Sequence, residues 1–260
     1  MVGEVVVRVY YNEISPYCCA WLRNLMRAGE IPLGDVDDRD IRDVLPSDVA
    51  GYDQCHFFAG LGGWPYALRL AGWDRPCWTG SCPCGPFSEA GKRLGFTDER
   101  HLWPAWQWHI GQQRPCVIFG EQVASPLGYE WLDLVLTDLE GTGYTCGASV
   151  LPAAGVGAPH GRHRLWFVAD ANRQSKHACA QYAEVASPPQ LGISNANGKP
   201  LGRVAEPRTE RGHWGFESGL GLVADGVPAR VDKLRAIGNS LVPGVGAAFV
   251  SAYMAWLDEQ

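Results

Sequence analysis

A cysteine in a tight turn is the residue of this sequence best suited to covalent chemistry. Cys84 lies within Pro83-Cys84-Gly85-Pro86-Phe87-Ser88, shortly after the predicted strand Arg75–Thr79. Ligands of open parallel sheets bind at the carboxyl ends of the strands, so this thiol is expected at a ligand-binding edge. A thiol near helix N-termini and arginine side chains is held partly as thiolate, the form that attacks carbon. Cys84 is therefore the candidate nucleophile.

Metal binding is the competing interpretation of the same turn, because Cys82 and Cys84 are separated by one residue. No second, suitably spaced pair accompanies them, and the zinc-deaminase combination of H-x-E with P-C-x-x-C is absent. His160 and His163 are more typical of ordinary surface or core residues than of ligands. We therefore predict no metal site.

Two further elements are typical of a cofactor site. The glycine loop Phe58–Gly63 lies between a predicted strand and a helix, where missing Cβ atoms let the backbone approach a ligand. Its spacing is not G-x-G-x-x-G, which disfavours a dinucleotide dehydrogenase. Glu13 follows another strand, the place where α/β cofactor domains put a carboxylate for ribose hydroxyls. Tight packing and a solvated strand end are the structural explanations of these two features when each is taken alone.

Alternating strands and helices are expected to position these residues. The predicted strands are Val5–Tyr11, Gln54–Phe58, Arg75–Thr79, Cys116–Phe119, Thr145–Leu151 and Arg164–Ala169. The first predicted helix carries Trp21, Leu22, Leu25 and Met26 on one face, and the second runs from the glycine loop to Ala71. Two further helices span 101–113 and about 129–141. The C-terminal helix carries Val242, Val245, Phe249, Ala252 and Trp256 on one face. This alternation predicts an α/β fold with a doubly wound, mainly parallel Rossmann-like sheet.

The segment 171–230 differs from the rest in composition. It is rich in Gly, Pro, Ser, Asn and Gln, and its seven Lys/Arg and five Asp/Glu give it a net charge of +2, against −8 for the remainder. A loop-rich stretch of this length favours an inserted module over a connector. We predict one domain from 1–170 plus 231–260 and a small module at 171–230.

Composition limits the class of protein. Hydrophobic residues make up 46% of the chain and there are eleven Trp, which indicates a folded core. The absence of a signal pattern and of a long apolar run predicts neither secretion nor membrane insertion. Nine Cys without a pairing pattern predict reduced thiols and a cytoplasmic protein. The net charge of −6 argues mildly against nucleic-acid binding, although the basic segment leaves DNA binding open.

Five blocks, in this order, resemble the signature blocks of the DNA cytosine-C5 methyltransferase family. They are Phe58–Gly63, Pro83–Ser88, Gly120-Glu121-Gln122-Val123, Pro159-His160-Gly161-Arg162-His163-Arg164 and Gly238-Asn239-Ser240. The resemblance runs from Val5 to the C-terminal helix, except for 171–230. Five blocks in compatible spacing are more specific than any one of them.

The order of the N-terminal blocks departs from the family. Asn12-Glu13-Ile14 and Asp40-Ile41 resemble the second and third family blocks, yet both precede the glycine loop. We interpret this as a local permutation in which the strand at 54–58 follows its two neighbours in the chain while keeping its place in the sheet. Asp40 is the expected adenine-binding acid, with Asp35 in reserve.

The resemblance implies transfer of a methyl group from S-adenosylmethionine to a cytosine flipped out of double-stranded DNA. Cys84 would attack C6, Glu121 would stabilise charge through N3 and N4 with a raised pKa, Arg164 would hold O2, and Arg162 would support the active site and phosphate contacts. Gly85, Ser88 and Lys92 are the implied DNA contacts. The implied cofactor residues are Asn12, Glu13, Ile14, Asp40, Phe58, Ala59, Gly60, Leu61, Gly62, Gly63, Pro83, Asn239 and Ser240.

Three departures bear on target handling more than on bond chemistry. Gly85 stands where the family usually has Gln, Gln122 where it has Asn, and His160 where it has Gln. The alternatives are an RNA cytosine methyltransferase, a non-catalytic nucleic-acid-binding protein on the same scaffold, and an enzyme whose donor carries a group larger than methyl. We expect an active, monomeric enzyme that recognises roughly two to four base pairs, because a small module contacts few base edges.

Overall fold

The computed structural model describes residues 7–83, 102–171 and 236–259. The seven strands of this part are β1 (Val9–Asn12), β2 (Gly34–Asp37), β3 (Gln54–Phe57), β4 (Cys77–Gly80), β5 (Val117–Val123), β6 (Thr145–Leu151) and β7 (Arg164–Asp170). Its helices are α1 (Pro16–Arg27), the single turn α2 (Pro46–Val49), α3 (Gly63–Ala71), α4 (Trp103–Gln113), α5 (Pro126–Gly141) and α6 (Pro243–Asp258). Short 3-10 turns lie at Ile41–Asp43 and Ala153–Val156.

The strands form one sheet in the order β2-β1-β3-β4-β5-β7-β6. The pairs from β2 to β5 are parallel, whereas β7 is antiparallel to both β5 and β6. Helices connect the parallel strands and cover the sheet, which leaves β1, β3 and β4 buried along their whole length. The predicted α/β fold with a mainly parallel, doubly wound sheet is confirmed.

The strand leading into the glycine loop is third in the chain but central in the sheet. β3 lies between β1, which ends before Glu13, and β4, which leads towards Cys84. All three are parallel, so their carboxyl ends meet at one edge of the sheet. The permutation inferred from the sequence predicts this arrangement, because it changes the order of the strands along the chain but not their places in the sheet.

Two local predictions were wrong. Trp21 was placed on the apolar face of the first helix, but α1 buries Cys18, Cys19, Leu22 and Met26 and leaves Trp21 41% exposed. The acidic stretch Asp35–Asp43 was not predicted to contain a strand, yet it contributes most of β2. β2 is an edge strand whose side chains are largely polar and half-buried, so it lacks the apolar pattern that identifies strands in a sequence.

The C-terminal helix packs on the helix that follows the glycine loop. A Cβ added at Gly246 would lie 2.9 Å from Ala67 Cβ, so α6 and α3 approach closely. Val245 is buried and Phe249 half-buried, whereas the predicted core positions Ala252 and Trp256 are exposed. Ala236–Asp258 is long and apolar enough to cross a membrane, judged by length and composition alone. Core helices of soluble proteins meet the same criterion.

One cysteine departs from the expectation of reduced thiols. Cys18, Cys19, Cys55, Cys77, Cys82 and Cys146 form no disulfide. Cys116, immediately before β5, is disulfide-bonded. The expectation that every thiol is reduced is therefore wrong at Cys116.

Candidate active site

The predicted chemistry converges on the edge formed by the carboxyl ends of β1, β3, β4 and β5, which we call the site edge. Glu13, Phe58 and Ser81 directly follow the first three of these strands, and Glu121 lies near the end of β5. β7 runs in the opposite direction, so it begins at this edge with Arg164. The sheet topology thus gathers residues from the ends of five strands at one edge.

A buried ion pair lies at the centre of the site edge. Arg164 Nε donates to Glu121 Oε1 at 2.9 Å, and the two side chains are only 16% and 7% exposed. The register produces this contact: Glu121 pairs with Trp166 and Val123 pairs with Arg164, so the two charged residues are diagonal neighbours on one face. Arg164 Nη1 also donates to the carbonyl of His163, which fixes the guanidinium further.

Burial raises the pKa of the Glu121 carboxyl above its usual range, because the charged form is poorly solvated. The positive charge of Arg164, a hydrogen bond from Ser81 and the charge of Arg162 act in the opposite direction and limit the rise. The predicted raised pKa of Glu121 therefore has a physical cause in the structure. A carboxyl in this environment holds a proton at a higher pH than an exposed one does.

Ser81 is a site residue that the sequence analysis did not identify. Its hydroxyl donates to Glu121, and its Oγ accepts from Trp64 Nε1 at 3.1 Å. Ser81 thereby joins the helix after the glycine loop to the ion pair on β5. The signal available in the sequence was its position, immediately after a buried strand and three residues before Cys84.

We predict that Ser81→Ala lowers the free energy of unfolding by about 1–2 kcal/mol, because Trp64 and Glu121 each lose a hydrogen-bond partner. The pKa of Glu121 should rise further, since a hydrogen bond to its charged form is removed. Urea denaturation and carbon-13 NMR of the carboxyl check the two effects. Ser149→Ala, at an exposed position of β6, is the control and should change neither quantity. An unchanged pKa in Ser81→Ala would contradict the assigned hydrogen bond.

Gln122 braces the chain on the approach to Cys84. Its Oε1 accepts from the backbone N–H of Val123 at 2.9 Å, and its Nε2 donates to the carbonyl of Cys82 at 3.4 Å. The longer amide that replaces the family's Asn is thus accommodated inside the protein. Pro83 is exposed at the site edge. Cys84, Gly85, Ser88 and Lys92 lie outside the described residues.

The metal alternative involves Cys84, which lies outside the described residues. Within 7–83, 102–171 and 236–259, no group of three or more His, Cys, Asp or Glu could hold a metal ion. Cys82 is buried, and both His160 and His163 are exposed.

At the part of the site edge where the sequence predicts a cofactor, which we call the cofactor side, Glu13 connects the end of β1 to the glycine loop. Its Oε2 accepts from the Gly60 N–H at 2.7 Å, and its Oε1 accepts from the Ser15 N–H at 2.8 Å. Asn12 donates from Nδ2 to the carbonyl of Arg39 at 2.9 Å, which holds the chain after β2 beside β1. A carboxylate has about four acceptor sites, so Glu13 retains capacity for hydroxyl donors.

The glycine loop has the backbone that its composition predicts. Gly60 and Gly62 both adopt left-handed conformations, with φ of 55° and 79°. Among the described residues, only the Phe58 carbonyl would lie within 4 Å of a Cβ at Gly60, at 3.9 Å, so this part of the structure leaves open space there. Ala59 is buried and donates its N–H to Asn12, and Leu61 is half-buried. The loop therefore leaves room for a ligand at Gly60.

Phe58 is held in an unusual conformation beside this open space. Its φ of 52° is left-handed, which is strained for a residue with a side chain. Its half-buried ring makes an edge contact with Trp106 at 6.2 Å between centroids. Ile14, which directly follows Glu13, is 61% exposed. An aromatic face and an exposed aliphatic side chain are suited to cover an aromatic ligand.

The two candidate adenine-binding acids lie in different places. Asp35 is near the start of β2 and accepts from Tyr52 at 2.6 Å, away from the site edge. Asp40 follows the carboxyl end of β2 and forms a bidentate pair with Arg42, at 2.9 and 2.6 Å. Asp40 therefore lies at the site edge, whereas Asp35 lies away from it.

The Gly238-Asn239-Ser240 block, from the C-terminal part of the chain, directly precedes a residue that packs on the start of α3. Leu241 packs so closely that a Cβ on Gly63 would lie 2.7 Å from its Cγ. Arg162 Nη2 donates to the carbonyls of Gly238 and Ser240, at 2.7 and 2.6 Å. Arg162 therefore contacts the cofactor-side block, and its charge reaches Glu121 as well.

Comparison with known proteins agrees with these blocks. The sequence profile of a family described as C-5 cytosine-specific DNA methylase matches residues 3–210. The Type II methyltransferase M.NlaX of Neisseria lactamica is 26% identical over 164 residues, which are 62% of this chain and 43% of that protein. Among solved structures, a mutant of Spodoptera frugiperda DNMT2 has a TM-score of 0.42 at 18% identity, with 67% of this chain and 45% of that chain covered. A putative DNA modification methyltransferase from an E. coli prophage has a TM-score of 0.33 at 16% identity, with 65% and 47% covered.

This chain spans less than half the length of each of these three relatives. The profile match contains the glycine loop, the Cys84 turn, Glu121 and Arg164, and it ends before Gly238. It nevertheless extends over well more than half of the sequence. The chain belongs to the C-5 cytosine-specific DNA methylase family.

Proposed function

We propose that the protein transfers a methyl group from S-adenosylmethionine to C5 of a cytosine in double-stranded DNA. The observation that carries this proposal is the buried Glu121–Arg164 pair at the site edge. It lies beside β4, the strand that leads into Cys84. An acid with a raised pKa next to a fixed guanidinium is suited to stabilise a ring that gains negative charge.

The described residues on the cofactor side fit an adenosine-containing methyl donor. Glu13 would accept from the ribose hydroxyls with its remaining lone pairs, Asp40 would accept from the adenine amino group, and Phe58 would lie against the sulfonium. Open space at Gly60 supports this fit, since the loop backbone is free to approach a ligand there. When bound, the donor supplies an electrophilic methyl group.

On the base side, each step is assigned to a residue of this chain. The Cys84 thiolate adds to C6 of a flipped cytosine, while Glu121 hydrogen-bonds N3 and the exocyclic N4, and Arg164 holds O2. The electron pair that builds up at C5 would form the bond to the methyl carbon while the methyl–sulfur bond of the donor breaks and its electron pair stays on sulfur, so that the donor would leave as a neutral thioether. Loss of the C5 proton then restores the double bond and expels Cys84 as thiolate. Atoms and charge balance with one methyl group transferred and one proton released.

The proposal assigns the remaining regions as follows. Residues 1–170 plus 231–260 form the catalytic and cofactor-binding domain, and 171–230 reads the target. Gly85, Ser88 and Lys92 contact DNA around the flipped base. The protein acts as a cytoplasmic monomer, and light scattering tests the monomer. Bisulfite sequencing of treated DNA reports the target sequence, and a specific six-base site would contradict the expectation of two to four base pairs.

Tritium transfer from labelled S-adenosylmethionine to duplex DNA and to single-stranded and folded RNA tests the proposal. We expect transfer to duplex DNA, together with a covalent adduct on DNA containing 5-fluorocytosine that Cys84→Ala does not form. Transfer to RNA alone would identify an RNA methyltransferase. Donor binding without transfer to any polymer would favour a non-catalytic binding protein. Undiminished transfer by Cys84→Ala would overturn the nucleophile assignment.

A further inference from the structure

Arg162 connects two parts of the chain that are far apart in sequence. Its Nη2 donates to the carbonyl of Gly238, 76 residues away, at 2.7 Å, and to the carbonyl of Ser240, 78 residues away, at 2.6 Å. Both N–H groups of Nη2 are thereby committed to backbone carbonyls. A charged donor makes these hydrogen bonds stronger than neutral ones.

Under the proposed function, Gly238–Ser240 form part of the wall of the donor pocket. Ser240 makes local hydrogen bonds to the carbonyl of Ile237, from its N–H at 3.3 Å and its Oγ at 2.8 Å. Within the described residues, the hydrogen bonds that tie Gly238–Ser240 to a distant part of the chain come from Arg162. The next residue, Leu241, packs on Gly63 at the start of α3. Arg162 therefore fixes Gly238–Ser240 to the loop before β7, next to the contact that Leu241 makes with the start of α3.

The backbone of Arg162 is shaped for this contact. Its φ of 30° is left-handed, a conformation that costs a residue with a side chain of order 1–3 kcal/mol and persists only where the surroundings impose it. The loop before β7 directs Arg162 towards Gly238, whereas Arg164, two residues later, points to Glu121. The two arginines of one block therefore serve different sides of the site.

We infer that Arg162 is a positioning residue for the methyl donor, which holds Gly238–Ser240 against the glycine loop instead of binding a DNA phosphate. This inference rests on the proposed function. It predicts that loss of Arg162 loosens the pocket wall and weakens donor binding. It also predicts that DNA affinity keeps its dependence on salt, because no phosphate contact is lost.

The test compares Arg162→Gln with Arg114→Gln. Arg114 is a matched control: it also has a left-handed backbone, with φ of 49°, and it donates to a backbone carbonyl, that of Thr142, at 2.6 Å. It precedes β5 and so lies at the opposite edge of the sheet. Isothermal titration with S-adenosylmethionine gives Kd, and amide exchange reports on residues 238–242. Filter binding of a cytosine-containing duplex between 50 and about 200 mM salt gives the salt dependence.

We expect Arg162→Gln to raise Kd for S-adenosylmethionine about tenfold or more and to speed amide exchange at 238–242, with an unchanged slope of log K against log salt. Arg162→Lys, which keeps the charge and a donor, should recover part of the affinity and serves if the Gln variant does not fold. Arg114→Gln should match the unmodified protein in all three measurements.

Two results would overturn the inference. One is an unchanged Kd for S-adenosylmethionine in Arg162→Gln. The other is a salt slope reduced by about one, which is the signature of a lost phosphate contact. If the unmodified protein does not bind S-adenosylmethionine, the proposed function fails and the role of Arg162 fails with it. Donor binding that is insensitive to Arg162 refutes the inference alone.

Discussion

Glu121→Gln is expected to lower kcat for methyl transfer about 10²–10⁴-fold, the usual contribution of a positioned general acid. The amide has nearly the same shape as the carboxyl and is able to donate a hydrogen bond, but it cannot pass a proton to the ring. It also cannot form an ion pair with Arg164, which is 2.9 Å from the carboxyl. Binding of S-adenosylmethionine should be unchanged, because the residues proposed to bind the donor lie outside β5, the strand that carries Glu121. Steady-state kinetics and titration separate the two effects.

The pH dependence gives a second measurement of the same residue. Burial raises the pKa of Glu121, so the protonated form persists above the ordinary carboxyl range, and activity that needs this proton declines as pH rises through the raised pKa. Stability has the same sign: it is fully present below the unfolded pKa near 4.5 and falls as pH rises through the folded pKa. Glu121→Gln should lack both slopes.

Glu130→Gln, at an exposed position of α5, is the control and should keep the activity and both pH slopes of the unmodified protein. Thermal unfolding of each variant excludes misfolding as the cause of lost activity. Full activity of Glu121→Gln, or a basic limb that survives the substitution, would refute the assigned role.

The sequence predicted Glu121 and Arg164 as candidate site residues, but it could not predict the contact between them. Glu121 and Arg164 belong to separate blocks, and a motif says which residues are present without giving a strand register. Their ion pair depends on an antiparallel pairing that sets Val123 opposite Arg164. A shift of one residue would turn Arg164 to the other face of the sheet. Ser81 was missed for a similar reason, because its importance comes from Trp64 and Glu121, which are distant in sequence.

The permuted order of the N-terminal blocks illustrates what a sequence pattern does and does not determine. Glu13 precedes the glycine loop by 47 residues, yet its carboxylate accepts a hydrogen bond from Gly60. The two strands are adjacent and parallel, so their carboxyl ends meet whichever strand comes first in the chain. Spatial neighbours in a sheet therefore preserve the site while the connections change. The edge strand β2 escaped prediction because an acidic, half-buried strand has no apolar alternation to detect.

The predicted strand Cys116–Phe119 ends before Gly120, but the structure places Gly120 inside β5. It pairs with Phe167 on β7, and the Phe167 ring folds over the space that a side chain would occupy. A Cβ at Gly120 would lie 2.0 Å from the Cε1 and Cζ atoms of that ring, which is fully buried. A glycine beneath a cross-strand aromatic ring is required by packing.

Gly120→Ala should therefore destabilise the protein by about 3 kcal/mol, the upper end of the usual cost of overpacking, because Phe167 must leave its position against Trp131. Urea denaturation measures the change.

The matched control is Gly147→Ala on β6. There the nearest atom to an added Cβ is Val168 Cγ1, at 3.8 Å, so the stability of this variant should stay within about 0.5 kcal/mol of that of the unmodified protein. Phe167→Leu should offset part of the Gly120→Ala cost, since a smaller side chain relieves the contact, and the double-mutant cycle measures this coupling. Equal stability of the two alanine variants would contradict the close packing of Phe167 on Gly120. The same displacement would disturb Trp166 and the register that joins Arg164 to Glu121, so methyl transfer should fall with stability in Gly120→Ala and remain unchanged in Gly147→Ala.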